Sequence, residues 1–129
     1  MTVQPLSTPS APAVAGPYSP AVRAGDWIVL AGQVPLDPAT GTLVPGDAAA
    51  QAQQVLDNIV AVLTDCGAQL TDVAKTTVFV TDLGDFGAVN EVYAAAFGDH
   101  RPARSTVPVA ALPVGAKVEI EAWVYLPGA

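Results

Sequence analysis

Two hydrophobic periodicities alternate along the chain and predict its elements. Apolar residues at helical spacing predict one helix that begins after Asp47 and stops at Gly67, and a second that begins after Asp82 or Asp85 and stops at Gly98. Alternating or continuous runs rich in β-branched and aromatic residues predict strands. These runs are Ala21–Ala24, 27–31, Val73–Val80, 102–109 and 116–126.

The order of these elements predicts an α+β fold. A hairpin turning at Gly25, followed by helix, strand, helix and two strands, indicates two helices on one face of a mixed sheet of four to five strands. The strand–helix–strand succession from 27–31 to Val73–Val80 favours a parallel pair with a right-handed crossover. The proline-rich residues 1–15 predict a loose amino-terminal arm, and residues 1–129 together predict a single domain.

The last strand separates two kinds of surface. Its apolar set alternates with a set that mixes carboxylates and large aromatics, Glu119, Glu121, Trp123 and Tyr125. Because two helices cover only one face of such a sheet, a second subunit covering the aromatic face is expected. Glu119, at a boundary between subunits that partly excludes water, is a candidate acid/base or water-orienting residue. The alternative is a solvated or salt-bridged structural glutamate.

Composition narrows the range of functions. A net charge of −7 with only five Lys and Arg argues against nucleic-acid binding. The single cysteine, Cys66, excludes an internal disulfide, and the absence of phosphate-loop, dinucleotide or metal-ligand motifs predicts no metal and no cofactor. Neither a signal peptide nor an apolar run long enough to span a membrane is evident, so a cytoplasmic location is expected.

Arg104 is the most conspicuous charge in the chain, since it opens an apolar β-prone run within 102–106. Its planar guanidinium suits a carboxylate held by two parallel hydrogen bonds, and the alternative is a structural ion pair with a nearby acid. Asn90, in the second helix, is either a local hydrogen bonder or a residue that steadies the loop before Arg104. His100 is interpreted as a helix-end residue, and Asp37 as a turn former.

Eight segments together resemble the RidA family of reactive-intermediate imine/enamine deaminases, also called the YjgF or L-PSP family. The most specific are Pro-Ala-Arg-Ser at 102–105 and Val-Glu-Ile-Glu-Ala at 118–122. The full set, in family order, is 16–19, 31–33, 37–41, 51–58, Val73–Val80, 86–90, 102–106 and 118–122.

The resemblance implies a fold, an assembly and a reaction. The fold is chorismate-mutase-like, and three chains form a homotrimer whose sheets build a central barrel, with clefts between subunits. The reaction is hydrolysis of 2-imino acids and their enamine tautomers, such as 2-aminoacrylate and 2-iminobutyrate, to 2-keto acids and ammonia, with no metal or cofactor. In this frame Arg104 binds the substrate carboxylate and Glu119 holds or activates the attacking water.

The resemblance also implies roles for neighbouring residues. Tyr18 lines the cleft, Gly32 offers its backbone to the ligand, and Thr106 lies beside Arg104 on the same strand face. Ala31 and Asn90 complete the expected substrate-binding set.

Some features of the chain depart from the family pattern. Ala31 stands where many relatives carry serine, so a hydroxyl near the ligand is missing and substrate preference is open. The loop 97–101 looks shorter than in some members, and Arg101 adds a second positive charge there. The alternative function is a non-catalytic protein that binds a keto acid in the same cleft. A ribonuclease, the activity ascribed to some relatives, is disfavoured by the acidic balance.

Overall fold

The computed structural model describes residues 2–128, which form one mixed sheet and two helices. The strands are β1 (Gln4–Pro5), β2 (Ala21–Ala24), β3 (Trp27–Gln33), β4 (Val73–Val80), β5 (Ala103–Pro108) and β6 (Val118–Tyr125). The helices are α1 (Ala48–Asp65) and α2 (Phe86–Phe97). The strands lie in the order β1-β2-β3-β6-β4-β5, with β4 and β5 parallel and the other pairs antiparallel. The predicted α+β class with two helices is confirmed, but the sheet has six strands and not four to five, because the amino-terminal segment adds β1 at its edge.

Both helices pack on the apolar face of the sheet that the alternation in the last strand predicted. The four apolar residues of β6 are each 0% exposed, namely Val118, Ile120, Ala122 and Val124. They join one hydrophobic core with Val55, Leu56 and Ile59 of α1 and with Val89 of α2. Burial of each valine, leucine or isoleucine side chain in this core stabilises the fold by roughly 1.5–3 kcal/mol. The opposite face of the sheet is left without a helix.

Local capping sets the helix boundaries. Asp47 precedes α1, and its carboxylate accepts a hydrogen bond from the backbone N–H of Ala50 at 3.0 Å. Asp82 accepts from the N–H of Gly84 at 2.8 Å, so this cap lies on the short 3-10 turn that leads into α2. Among residues 2–128, no helix is long and apolar enough to cross a membrane.

The predicted parallel pairing of β3 with β4 is wrong. Strand β6 lies between them and is antiparallel to both. Leu30 of β3 pairs with Ala122 of β6, and Val78 of β4 pairs with Ile120 of β6. The parallel pair is β4 with β5, which α2 connects. Every second residue of β6 is buried, which suits a strand in the middle of the sheet. The strands that lie beside it are determined by contacts between distant segments, which local spacing does not encode.

The arm expected to be loose is attached to the rest of the chain. Gln4 pairs with Arg23 at the edge of the sheet. Further along, Ser10 donates from its backbone N–H and its hydroxyl to Asp65, at 2.8 and 2.9 Å. Ala11 is buried against the core. The prolines stiffen this segment into an extended conformation, and an extended segment can pair with an open sheet edge.

Candidate functional site

Arg104 lies on β5 and is held by α2. It pairs with Thr76 of β4, which is 0% exposed, so the arginine is on the helix-covered side of the sheet. Its Nη2 donates to the Asn90 Oδ1 at 2.7 Å, and its guanidinium carbon lies 4.8 Å from the ring centre of Tyr93 and 5.6 Å from that of Phe86. Within residues 2–128 its contacts are thus an amide and two aromatic faces, and the alternative of a structural ion pair is not what the structure shows.

Tyr93 is a site residue that the sequence interpretation missed. Its hydroxyl bonds to the Thr76 hydroxyl at 2.7 Å, which anchors the ring beneath Arg104. Burial raises the pKa of Tyr93, so the phenol stays protonated and available for that hydrogen bond. The spacing along the sequence could have identified Tyr93 as a site residue. Phe86, Asn90 and Tyr93 stand at i, i+4 and i+7, and they therefore share one side of α2.

A shallow cavity of about 280 Å³ opens beside the guanidinium. It is lined by Asn90, Tyr93, Ala94, Arg101, Pro102 and Arg104. Arg101 donates to the carbonyl oxygens of Gly98 and His100, so part of its donor capacity is spent on the end of α2. Arg104 has five N–H donors, and only one is used by Asn90. This half of the site can therefore hold an anionic group with planar geometry.

Glu119 lies on β6 directly against Gly32 of β3. A Cβ atom on Gly32 would overlap Glu119 Oε2, so glycine at this position lets the carboxylate keep the place it has. The register between β3 and β6 shifts between Leu30 and Gln33, so the side chains in this part of β3 point in other directions than they would in a regular strand. Burial raises the pKa of Glu119, and the nearby charge of Glu121 raises it further. A carboxylate with a raised pKa is a stronger base, which suits it to accept a proton.

A second cavity, of about 300 Å³, surrounds the Glu119 carboxylate. It brings together three residues of the expected substrate-binding set, Tyr18, Ala31 and Gly32. Tyr18 is directed by a tight turn in which its N–H donates to the Gly16 carbonyl at 2.9 Å. The remaining lining is Ala13, Ala15, Val34, Leu36, Pro113 and Val114.

Arg104 and Glu119 face opposite sides of the sheet. Val78 of β4 is buried against the helices and pairs with Thr106 on one side and Ile120 on the other. Thr106 and Arg104 therefore lie on the helix side, whereas Glu119 lies on the open side. One chain brings Arg104 together with Asn90, and Glu119 together with Tyr18, but it does not bring the arginine to the glutamate.

His100 and Asp37 have structural roles. The imidazole Nε2 of His100 is 2.8 Å from the carbonyl oxygen of Val73, and Asp37 accepts from the N–H of Ala39 at 2.8 Å in a turn. The hydroxyl oxygen of Thr106 is buried and has no hydrogen-bond partner within the described part of the chain. Across residues 2–128 no group of three or more His, Cys, Asp or Glu side chains is arranged to hold a metal ion.

Comparisons with known proteins place the chain in a family. Residues 8–126 match the family model described as endoribonuclease L-PSP. The chain is 50% identical over 120 residues to the 2-iminobutanoate/2-iminopropanoate deaminase of Escherichia coli K12, covering 91% of this chain and 93% of that protein.

Two solved structures show the same fold. RidA from the Antarctic bacterium Psychrobacter has a TM-score of 0.91 and 46% identity, covering 95% of this chain and 99% of that one. TdcF from Escherichia coli with bound serine has a TM-score of 0.89 and 41% identity, covering 95% and 98%. The protein therefore belongs to the L-PSP family, the RidA or YjgF proteins, as the resemblance predicted.

Proposed function

We propose that the protein hydrolyses 2-imino acids and their enamine tautomers, such as 2-aminoacrylate and 2-iminobutyrate, to 2-keto acids and ammonia. Its relatives at about 50% identity are named 2-iminobutanoate/2-iminopropanoate deaminases, and the protein is an enzyme of this deaminase type. The observation that carries the proposal is Arg104, held by Asn90 over Tyr93, with donors to spare for a carboxylate. The solved structure of TdcF has bound serine, which is another small molecule with an α-carboxylate.

The active unit is proposed to be a homotrimer in which the open sheet faces form a central barrel. The split between the Arg104 cavity and the Glu119 cavity supports this arrangement, because a complete site then needs the arginine half of one subunit and the glutamate half of the next. The open face also carries exposed aromatic surface. Trp27 and Tyr125 are 40% and 48% exposed and pack edge-to-face at 5.2 Å, and such a patch favours burial by another subunit.

The proposed mechanism uses few groups, because an imine already reacts with water. Arg104 binds the substrate carboxylate through two parallel hydrogen bonds and so fixes the position of the neighbouring C=N carbon. Glu119 accepts a proton from the attacking water as its oxygen bonds to that carbon. Glu119 returns this proton to the nitrogen, which gives a carbinolamine. A second proton then moves from the carbinolamine hydroxyl to the amine, the C–N bond breaks as the C=O bond forms, and ammonia leaves with the 2-keto acid as the product.

The supporting residues then shape the cleft. Tyr18 lines it, Gly32 presents its backbone and leaves room for Glu119, and Ala31 contributes a methyl group. Thr106, on the same strand face as Arg104, stays a predicted substrate-binding residue, but its hydroxyl is buried and it lines neither cavity.

The alternative, binding of a keto acid without turnover, stays a prediction, as does the cytoplasmic location. Hydrolysis is favoured over mere binding by the position of Glu119 in the cavity wall, since a cleft that only binds an anion gains nothing from a half-buried carboxyl. The family model is named for an endoribonuclease, but a net charge of −7 opposes contact with a phosphate backbone.

The direct test is release of keto acid from imines made in situ. An amino-acid oxidase generates the imine, and a dehydrogenase that consumes the keto acid reports its formation. We expect the wild-type protein to accelerate this release well beyond spontaneous hydrolysis. Tight binding of 2-ketobutyrate with no acceleration would select the non-catalytic alternative instead.

We predict that Gly32→Ala impairs the reaction while leaving the fold intact. The added methyl would overlap Glu119, so the carboxylate must rotate away, and kcat is expected to fall by about 10- to 100-fold. Gly87→Ala is the matched control, because no atom lies within 4 Å of its added Cβ and alanine suits a helix better. Equal activities of the two variants, with equal thermal unfolding midpoints, would contradict the role assigned to Gly32.

A further inference from the structure

We propose that the cavity beside Glu119 selects imino acids with an aliphatic side chain larger than methyl, and that Val114 is a specificity-determining residue. This inference rests on the proposed function and narrows it to a substrate class. It is drawn from the lining of the cavity and from the backbone of the loop that closes it.

The cavity lining is almost wholly apolar apart from Glu119 and the phenol of Tyr18. Val34, Leu36 and Val114 present branched side chains, and Pro113 presents a ring. Ala31 adds a methyl group and no hydroxyl. Such a surface offers nothing to a polar substrate side chain and excludes water well around an aliphatic one.

The position of the reacting atoms directs the substrate side chain onto this lining. If the carboxylate lies on an arginine and the C=N carbon lies next to Glu119, the remaining substituent of that carbon meets the other walls. The part of the cavity that one chain forms measures about 300 Å³, so a methyl group would leave much of it to water. A side chain of the size of isobutyl displaces that water and contacts the branched residues.

Val114, in the wall of this cavity, has an unusual backbone conformation and an exposed side chain. Its φ of 55° and ψ of 21° are left-handed, and within residues 2–128 it is the sole non-glycine residue with positive φ. This conformation is unusual for a β-branched residue. The side chain is also 61% exposed, so core packing does not explain it. Strained residues of this kind are found at ligand clamps, and here the strained residue borders the carboxylate cavity.

The test compares two imines and three proteins. Imines are generated in situ from alanine and from leucine, and keto-acid release is measured for wild type, Val114→Gly and Val114→Thr. We expect wild type to favour the leucine-derived imine, whose side chain has three more carbons, by about 10-fold in kcat/KM, which is the low end of what one buried methylene provides. Glycine removes the apolar wall and relieves the backbone strain, and threonine keeps the shape but makes it polar. Both substitutions should bring the ratio close to one.

Controls separate specificity from folding and from the proposed function. Val60→Thr alters an exposed valine on α1, away from the cavity, and should keep the wild-type ratio. The thermal unfolding midpoint of Val114→Gly should equal or exceed that of wild type, because glycine tolerates positive φ.

The outcomes are distinguishable. A wild-type protein that accelerates both imines but prefers the alanine-derived one, or a ratio unaffected by either Val114 variant, would overturn this inference alone. If no imine is accelerated, the proposed function fails, and calorimetric binding of 4-methyl-2-oxopentanoate and pyruvate decides the inference. Stronger binding of the branched keto acid, weakened by Val114→Gly, would support it, and equal binding would overturn it.

Discussion

Replacing Arg104 by glutamine is expected to lower kcat/KM for 2-imino acids by about 10²- to 10⁴-fold, since two hydrogen bonds to a charged group are lost at roughly 1.5–3 kcal/mol each. The loss should be similar for substrates that differ in their side chains, because the carboxylate is common to all of them. Steady-state keto-acid release over a range of imine concentrations measures it. Arg104→Lys should recover only part of the activity, because an ammonium keeps the charge but lacks the planar fork.

The control for Arg104 is an arginine with no link to either cavity. Arg23 donates to the carbonyl oxygens of Gly25 and Leu126 near the other end of the sheet, so Arg23→Gln removes the same group without touching the site. It is expected to leave kcat/KM within about twofold of wild type. If Arg104→Gln retained such activity while folding normally, the carboxylate would have to be bound elsewhere, and the proposed role of Arg104 would be wrong.

Asn90 controls the orientation of the Arg104 guanidinium without changing its charge. The amide oxygen fixes one end of the guanidinium at 2.7 Å, while the Tyr93 ring supports its face. A charge that is present but poorly directed still attracts an anion, yet it fails to place the C=N carbon next to the water. The second helix therefore matters to the site through its side-chain spacing as well as through its core contacts.

Several parts of the fold follow from local patterns. The run Val73–Val80 has the bounds predicted for it, because its β-branched residues are flanked by clear turn signals. The alternation in β6 correctly assigned Val118 and its three apolar partners to the core and Glu119 to the other face. Arg104 was selected by chemistry alone, as a rare cation at the start of a β-prone run. In each case neighbouring residues in the sequence contain the information.

Other parts depend on contacts between distant segments. The insertion of β6 between β3 and β4, and the pairing of Gln4 with Arg23, are choices among several allowed partners. The same holds for the faces of Arg104 and Glu119. Their opposite directions follow only once Val78 is known to pair with both Thr106 and Ile120. Because a shift of one residue would reverse either direction, the split of the site was beyond sequence reasoning.

Because Arg104 and Glu119 lie on opposite faces of the sheet, the second large effect is expected in mixtures of inactive variants. Glu119→Gln keeps the shape of the side chain but cannot accept a proton, so its activity is expected to fall by about 10²- to 10⁴-fold. Arg104→Gln alone is similarly impaired. When the two variants are unfolded and refolded together in equal amounts, about one quarter of wild-type activity should return, because chance pairs an intact arginine with an intact glutamate at one site in four.

The reciprocal mixture makes the result decisive. Wild type refolded with an equal amount of the double variant, Arg104→Gln with Glu119→Gln, should also retain about one quarter of the activity if every site joins two chains. Sites formed within single chains would instead retain one half, and the two single variants would then show no recovery on mixing. Since Arg104 and Glu119 lie on opposite faces of the same sheet, recovery in the first mixture and a loss to one quarter in the second are the expected pair of results.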